Sequence, residues 1–420
     1  MITLLTLGAA LAMGPSDPAS WSLDPATTVV LVEDHRVPLV EVHLSFPAGD
    51  FSPWFNRSHA GEAFQLQIFD AEGKLRASAD ALAAGFTFDV GDYSSDLVVS
   101  CLKQDLPAVR ALMSSVLSNT DFDPAELKRA EKGRKVEWEG RQKDFDFVIG
   151  QAGRRLLFAE GDPRRQKSEE PPKLITDAAA LAAARDQLVA LPGRVIGVAG
   201  DMTREEAEAF AAGLLPAATS APADLAPVFQ PVRAGRPAES VVKLPRLTQV
   251  YFAYEREDIS WGDPDYAASL IANHVLGGHF FSRLYVTLRH EGGETYGARV
   301  TRDTGAVPGP LALTTFTRAE NEATTEQKLR GVLDTFHASG ITETELAEAK
   351  SALEGRRLAE REAPGDILGT WIWEHNRGLE PGFREGAVKR AAALSLEDVN
   401  GFIGRYYDPA AFTMIKLVAE

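Results

Sequence analysis

The sequence predicts a two-domain α+β protein in which each domain is a mainly antiparallel sheet covered by helices on one face. Three observations predict this class. First, the chain has 420 residues, more than one hydrophobic core usually organises. Second, residues 214–239 are rich in Pro and Ala and contain five prolines, which exclude a regular helix and are typical of a linker. Third, the same order of predicted elements occurs on both sides of that linker.

Two pairs of landmarks support the repeat. Long helices are predicted after N-caps at Asp123 and Thr342, because a glutamate follows each cap at the position that closes a capping box. These caps lie 342 − 123 = 219 residues apart. Pro192 and Pro409, which follow the last helix of each half, lie 409 − 192 = 217 residues apart. The near agreement of the two offsets indicates a duplicated unit of about two hundred residues.

Hydrophobic periodicity places the same elements in each half. In the first half we expect strands at 27–32, 39–46 and 96–102, helices at 106–117 and 177–190, and a closing strand at 195–199. In the second half we expect strands at 247–254 and 311–316, helices at 326–336 and 396–406, and a closing strand at 412–418. The expected boundaries are therefore a leader at 1–22, an N-terminal domain at 23–213, the linker at 214–239 and a C-terminal domain at 240–420.

Composition excludes several classes of function. The formal net charge is −16 and the pI is near 5.1, so the protein would repel a nucleic-acid backbone. A hydrophobic content of 45% with 25% charged residues argues against disorder and against a multi-span membrane protein. The single cysteine, Cys101, lies in an apolar run and is interpreted as a buried strand thiol, and its number excludes an intrachain disulfide.

The first residues resemble a secretory leader. Residues 2–13 are apolar or small, a stretch too short to span a bilayer, and Ala10-Leu11-Ala12 resembles a cleavage site. No Lys or Arg precedes Arg36, however, so the basic region of a leader is missing. We expect a periplasmic or secreted protein without a stable membrane span, with a cytoplasmic location as the alternative.

The most specific motif lies in the second half. Arg289 and Tyr296 are seven residues apart with Gly293 between them, and they follow the run Gly277-Gly278-His279-Phe280-Phe281-Ser282-Arg283-Leu284-Tyr285. Together with the opening strand, which ends in Phe46-Pro47-Ala48-Gly49-Asp50, and with the duplicated plan, this motif resembles the insulinase/pitrilysin family of zinc peptidases, the inverzincins. The resemblance covers nearly the whole chain after the leader.

The resemblance implies an H-x-x-E-H zinc motif on the first-half helix, and this chain does not have one. Counted from Gly61, the three functional positions fall on Phe64, Gln67 and Ile68. Phe and Ile have no lone pair for zinc, and neutral Gln cannot accept a proton as a general base. A rival placement that begins at His59 has Ala where the second ligand belongs. We therefore predict no metal, no cofactor and no catalytic residue of the chain's own.

What the resemblance implies instead is a division of labour. In such relatives two duplicated subunits close around a chamber, and one supplies zinc while the other supplies an Arg and a Tyr. Arg289 would then position a peptide substrate and Tyr296 would support the oxyanion, both acting on zinc in a homologous partner subunit. Alternatively, Arg289 caps a helix C-terminus and Tyr296 packs at the start of the next strand.

Two other functions stay open at this point. The chain could be a non-catalytic scaffold or peptide-binding protein that kept the fold, or a self-sufficient enzyme with an unrecognised site. His274, His279 and His290 do not have the spacing of a metal site on a helix. The sequence also lacks a phosphate-binding loop and a G-x-S-x-G nucleophile elbow, so the self-sufficient enzyme is the least supported.

Overall fold

A computed structural model describes residues 14–52, 61, 63–64, 74–120, 122–166, 177–219, 229–232, 235, 238–245, 247–293 and 295–420. The chain forms two compact units. Unit 1 comprises residues 1–132, 173–226 and 358–381, and unit 2 comprises residues 133–172, 227–357 and 382–420.

Eleven strands are present in the described residues: β1 (Ala19–Asp24), β2 (Thr27–Glu33), β3 (Leu39–Phe46), β4 (Gly85–Val90), β5 (Ser95–Leu102), β6 (Arg194–Gly200), β7 (Glu239–Leu244), β8 (Gln249–Glu257), β9 (Ala298–Arg302), β10 (Pro310–Arg318) and β11 (Thr413–Ala419). The helices are α1 (Lys74–Ala81), α2 (Leu106–Ser118), α3 (Pro124–Arg141), α4 (Phe145–Leu157), α5 (Pro163–Gln166), α6 (Ala178–Val189), α7 (Arg204–Ala211), α8 (Tyr266–Gly277), α9 (Arg283–Tyr285), α10 (Glu322–Ser339), α11 (Glu343–Ala359), α12 (Pro364–His375), α13 (Phe383–Ala393) and α14 (Leu396–Tyr406).

Each unit is built on one sheet, and the two sheets have the same topology. The strand order is β1-β2-β6-β3-β5-β4 in unit 1 and β7-β11-β8-β10-β9 in unit 2. In each sheet the first and last strands of the repeat, β2 with β6 and β7 with β11, are parallel, and every other pairing is antiparallel. Apart from β1, the orders match strand for strand, as a duplicated sequence requires.

Alternating residues give each sheet two distinct faces. In β3, Val40, Val42, Leu44 and Phe46 are buried in the main core of unit 1, beneath helices that include α2 and α6. In unit 2, β8 and β10 contribute to a core with α8, α10 and α14. The predicted class, two α+β domains with mainly antiparallel sheets, is confirmed.

The opposite face of each sheet carries a helix from the other half of the sequence. Helix α12 belongs to the second half of the chain, yet its Leu368 and Ile372 pack on Val30 and Val195 of the first sheet. The close approach needs Gly197, because a Cβ there would lie 2.8 Å from a Leu368 methyl carbon. Helix α4 belongs to the first half and packs on the second sheet through an apolar cluster that includes Ile149, Ala253, Ile415 and Leu417.

This exchange was not predicted from the sequence. The sequence predicted helices on one face of each sheet. That prediction accounts for the larger core of each unit, but in the structure a helix covers the second face as well. The boundaries 23–213 and 240–420 follow the sequence repeat, whereas each compact unit takes a segment from the opposite half. Helices α4 and α12 each bury one apolar face, as many helices do. The local sequence pattern does not indicate which of the two sheets such a face will cover.

Within the described residues, no helix has the length and apolar character that crossing a membrane requires. Residues 2–13, the predicted leader core, lie outside the described residues.

The exchange predicts that a side chain from the second half stabilises unit 1. Leu368→Ala should lower the free energy of unfolding by about 2–5 kcal/mol, because Leu368 is fully buried and its truncation leaves a cavity. The measurement is urea-induced unfolding combined with amide hydrogen exchange, in which β2 and β6 should lose protection. Leu358→Ala, at a side chain that is 54% exposed, is the control and should change stability by less than about 0.5 kcal/mol. Equal effects of the two substitutions would contradict the packing described.

Candidate functional site

The loop that carries the predicted Arg and Tyr begins at a pair of glycines. Helix α8 ends at Gly277, where a Cβ would lie 2.6 Å from the backbone nitrogen of Val300. At Gly278 a Cβ would lie 2.8 Å from the Cα of His274. Both positions therefore require glycine, because the chain turns in close contact with the backbone of β9 and of its own helix.

An ion pair then fixes the short helix α9. The Arg283 guanidinium donates two parallel hydrogen bonds of 2.7 Å to the carboxylate of Glu345. The same carboxylate accepts a hydrogen bond from the backbone N–H of Thr342, and the Thr342 hydroxyl accepts one from the N–H of Glu345, which completes the predicted capping box of α11. The Ser-Arg-Leu motif thus anchors α9 to α11, a role that the sequence alone did not assign.

Arg289 lies in a π-helical turn, Val286–His290, directly after α9. Its Nη1 donates to the Tyr285 hydroxyl at 2.5 Å and to the backbone carbonyl of Tyr296 at 2.6 Å. The guanidinium carbon also lies 5.2 Å from the centroid of the Tyr285 ring and 5.9 Å from that of the Tyr296 ring. Among the described residues the hydrogen bonds of Arg289 involve Nη1 alone, so Nε and Nη2 retain donors for a ligand.

The backbone conformation at position 293 explains why a glycine lies between Arg289 and Tyr296. Its φ is +67°, the left-handed conformation that favours glycine at the end of a helix. Its N–H donates to the carbonyl of Arg289 at 3.1 Å, which closes the turn and directs the chain toward Tyr296. The spacing of seven residues therefore corresponds to one capped turn that brings the arginine side chain to the tyrosine carbonyl.

Exposed aromatic rings surround Arg289. Phe280, Phe281 and Tyr296 are 68%, 75% and 74% exposed. Phe280 contacts the buried Tyr285 edge-on at 5.1 Å, and Phe281 contacts the exposed His290 at 5.9 Å. We call Phe280, Phe281, Tyr285, Arg289, His290 and Tyr296 the Arg/Tyr face. The exposed phenylalanines were part of the sequence motif, but nothing in their spacing predicted that both would face solvent.

The exposure of Tyr296 bears on the alternative interpretations of the pair. A tyrosine that served to pack at the start of β9 would bury its ring, and this ring is largely in solvent. Arg289 holds the carbonyl of Tyr296, outside the preceding turn, so it does not cap that turn. The structure brings the two predicted residues together, and their action on a substrate stays a prediction.

The nearby histidines form no metal site in the described part of the chain. His274 and His279 stack with ring centroids 4.2 Å apart. Burial, with a smaller contribution from His279, lowers the pKa of His274 to about 4, so the ring is neutral near pH 7. No group of three or more His, Cys, Asp or Glu side chains that could hold a metal occurs among the described residues.

The degenerate zinc motif is described at one of its three positions. Phe64 is fully buried in the core of unit 1 and stacks on Phe88 with ring centroids 4.1 Å apart. A position that would hold a zinc ligand in a peptidase is thus a packing position here. Gln67, Ile68 and His59 lie outside the described residues.

Cys101 is buried in β5, as predicted. Burial, with a smaller effect of Asp105, raises the pKa of its thiol to about 11, so the nucleophilic thiolate is absent near pH 7.

Comparisons with known proteins identify the class. Residues 178–353, which include Arg289 and Tyr296, match the family model of the peptidase M16 inactive domain. A curated protein of Helicobacter pylori (strain ATCC 700392 / 26695), the non-peptidase homolog YmxG, is 21% identical over 415 residues, which are 96% of this chain and 94% of that protein.

Solved structures show the same fold. The peptidase M16 inactive domain from Pseudomonas fluorescens superposes with a TM-score of 0.81 and 23% identity, covering 96% of this chain and 99% of that one. The periplasmic protease PqqL from Escherichia coli superposes with a TM-score of 0.75 and 15% identity, covering 97% of this chain but 47% of that protein.

Fold, family match and site together define a relative of the M16 peptidases that lacks the zinc motif. The resemblance to the zinc-free members of the insulinase/pitrilysin family is confirmed.

The anchoring of α9 gives a testable expectation. Arg283→Gln should lower the free energy of unfolding by about 1.5–3 kcal/mol, because it removes two charge-assisted hydrogen bonds to a half-buried Glu345. Chemical denaturation measures the loss, and amide exchange of residues 283–297 should accelerate. Arg318→Gln breaks a fully solvated pair with N···O at 3.6 Å and should cost at most about 1 kcal/mol. If Arg283→Gln were as mild as this control, the anchoring role would be wrong.

Proposed function

We propose that this chain is the substrate-binding, zinc-free subunit of a heterodimeric zinc metallopeptidase that degrades or processes peptides. The observation that carries the proposal is the Arg/Tyr face: an arginine with unused donors is fixed beside an exposed tyrosine on an exposed aromatic surface. A homologous subunit with an intact H-x-x-E-H motif would hold the zinc that activates water for peptide hydrolysis.

The geometry suits an extended peptide. Strand β9 begins two residues after Tyr296 and lies at the edge of the second sheet, where β10 is its one partner among the described strands. An edge strand offers free backbone donors and acceptors to which a peptide can add. Arg289 lies where its free N–H groups could bind substrate carbonyl oxygens without requiring a particular side chain.

Tyr296 would contribute to catalysis through its hydroxyl. The phenol lies on the solvent side of the Arg/Tyr face, with its backbone held by Arg289. A hydroxyl aimed at a scissile carbonyl donates a hydrogen bond that strengthens as negative charge develops on oxygen. The hydrophobic rings of Phe280 and Phe281 would bind apolar side chains of the peptide.

The PqqL comparison supports an architecture of two related halves. This chain corresponds to about half of that periplasmic protease, whose length accommodates a second segment of similar size. In the proposed heterodimer the second half would be a separate polypeptide. We also propose that the chain is exported to the periplasm, on the basis of the leader-like residues 2–13.

The partner requirement is tested by reconstitution. The purified chain alone should contain no stoichiometric zinc and should not hydrolyse a fluorogenic peptide, because it has no H-x-x-E-H motif. Mixing it with a homologous subunit that carries the motif should produce hydrolysis. Metal analysis and the rate of fluorescence increase are the measurements, and stoichiometric zinc with full activity in the isolated chain would overturn the proposal.

The role of Tyr296 is tested in the reconstituted pair. Tyr296→Phe should lower kcat about 10²- to 10³-fold, the usual effect of losing one oxyanion donor, while the KM changes little. Tyr406→Phe is the matched control, because it removes only a long hydrogen bond of 3.5 Å far along the chain from this loop. Unchanged turnover of the Tyr296 variant would refute the assigned role.

A non-catalytic peptide-binding protein is the second candidate, favoured by the description of the Helicobacter pylori relative as a non-peptidase. Fluorescence anisotropy with a labelled peptide separates the two. Binding that needs Arg289, without hydrolysis in the presence of any zinc-bearing homologue, would support this candidate.

A further inference from the structure

A cavity of about 310 Å³ lies within unit 2, on the face of the second sheet that α4 covers. Its lining includes Gly150 and Arg154 from α4, Glu255 from β8, Ala312 from β10, and Thr301 and Asp303 from the end of β9 and the residues after it. None of these residues belongs to the Arg/Tyr face. A cavity of this size is at the lower end of the range for small-molecule sites.

Glu255 is the unusual group in this cavity. Its side chain is 2% exposed, and its Oε2 has no hydrogen-bond partner among the described residues. Its register partner on β11, Thr413, is also buried and has a hydroxyl without a partner in the same part of the chain. Two adjacent buried polar groups without partners are rare in proteins, and such groups usually bind water or a ligand.

The fold makes room for this carboxyl group. A Cβ at Gly153 of α4 would overlap the Glu255 carboxylate, so only glycine admits the acid beneath the helix. Thr413, Glu255, Ala312 and Thr301 form one row across β11, β8, β10 and β9, and the small side chain of Ala312 leaves space beside the acid.

The two arginines that line the cavity are each paired with another carboxylate, and neither is hydrogen-bonded to Glu255 Oε2. Arg154 donates to Asp303 at 3.1 Å, and Arg302 donates to Asp258 at 2.8 and 3.0 Å. Each arginine thus already has a carboxylate partner. Burial raises the pKa of Glu255 to about 8, against a smaller opposing effect of Arg154. What the site lacks is a donor that bonds Glu255 Oε2, because Arg154 acts on this carboxyl group without donating a hydrogen bond to that oxygen.

We propose that this cavity binds a small organic cation through a primary ammonium group, with Glu255 as its counter-ion and the Thr301 hydroxyl, on the same wall of the cavity, as a further acceptor. An ammonium has three N–H donors on a compact head, so it can donate to the unpartnered Glu255 oxygen and to other acceptors in the cavity. An alkyl chain of a few carbons would lie against Ala312 and the glycine-rich side of α4. This site is independent of the proposed peptidase role.

The test is calorimetric titration of the full chain with n-butylamine, and with n-butanol as the neutral isostere, at pH 6 and pH 9. The amine stays protonated at both pH values, since alkyl ammonium groups have pKa values near 10.4. Ionisation of Glu255 rises between these pH values, so the affinity for butylamine should increase more than tenfold at pH 9. Butanol should bind at least tenfold more weakly than butylamine at pH 9.

Two pairs of variants locate the site. Glu255→Gln should abolish amine binding, whereas Glu397→Gln, at an exposed glutamate of α14, should bind as the wild type does. Gly150→Leu should fill the cavity and block binding without a clash, because no atom lies within 4 Å of a Cβ there. Gly331→Leu, at an equally open helical position of α10, is its control.

Thermal unfolding provides a readout that needs no ligand. The folded-state pKa of Glu255 is raised, so its protonated form is favoured in the folded protein and stability is lost as the pH rises toward about 8. Glu255→Gln should therefore have a higher Tm than the wild type at pH 9 and not at pH 4. Equal binding of butanol, tighter amine binding at pH 6, or no amine binding by the wild type would each overturn the proposal.

Discussion

The structure depends on the burial of the second face of each sheet by a helix from the opposite half of the sequence. Without α12, the apolar residues Val30, Val32 and Val195 of the first sheet would be exposed, and without α4 so would Ile415 and Leu417 of the second. Each such cluster represents several kcal/mol of hydrophobic stabilisation. Neither half of the chain therefore contains everything that its own sheet needs, even though the two halves repeat one plan.

The second unit uses this arrangement for more than stability. On one face of its sheet, α8, α9 and α11 hold the Arg/Tyr face through the Arg283–Glu345 pair and the capped turn at Gly293. On the other face, α4 covers the cavity that contains Glu255. Two chemically different sites thus occupy opposite faces of one sheet, and the rigid strands between them fix the positions of both.

Much of this fold follows from local rules. The strand over Leu39–Phe46, the helix over Leu396–Tyr406 and the capping box at Thr342 were predicted because each depends on neighbours in sequence. The duplicated topology followed from the matching offsets. The exchange of α4 and α12 did not, because it depends on which distant surface receives an amphipathic helix, and periodicity is the same for either choice.

The candidate site was also predictable only where it depends on residues that are close in sequence. Arg289 and Tyr296 were found through a motif, and the motif's spacing has a local physical basis in the Gly293 turn. The contact of Arg289 with Tyr285, the exposure of Phe280 and Phe281, and the unpartnered oxygen of Glu255 among the described residues all depend on tertiary packing. In sequence, Glu255 is a polar residue in a strand of alternating polarity, which is common. Its burial is unusual and results from helix α4, which packs over it.

The stacking of Phe64 on Phe88 also has an evolutionary consequence. Replacing Phe64 with histidine would place a polar ring in a fully apolar environment and forfeit part of an aromatic contact before any metal could bind. Building an H-x-x-E-H motif here would also require changes at Gln67 and Ile68, so the substitution of Phe64 alone would weaken the fold without any compensating activity. Folding stability therefore disfavours, at position 64, the histidine that a zinc site would need.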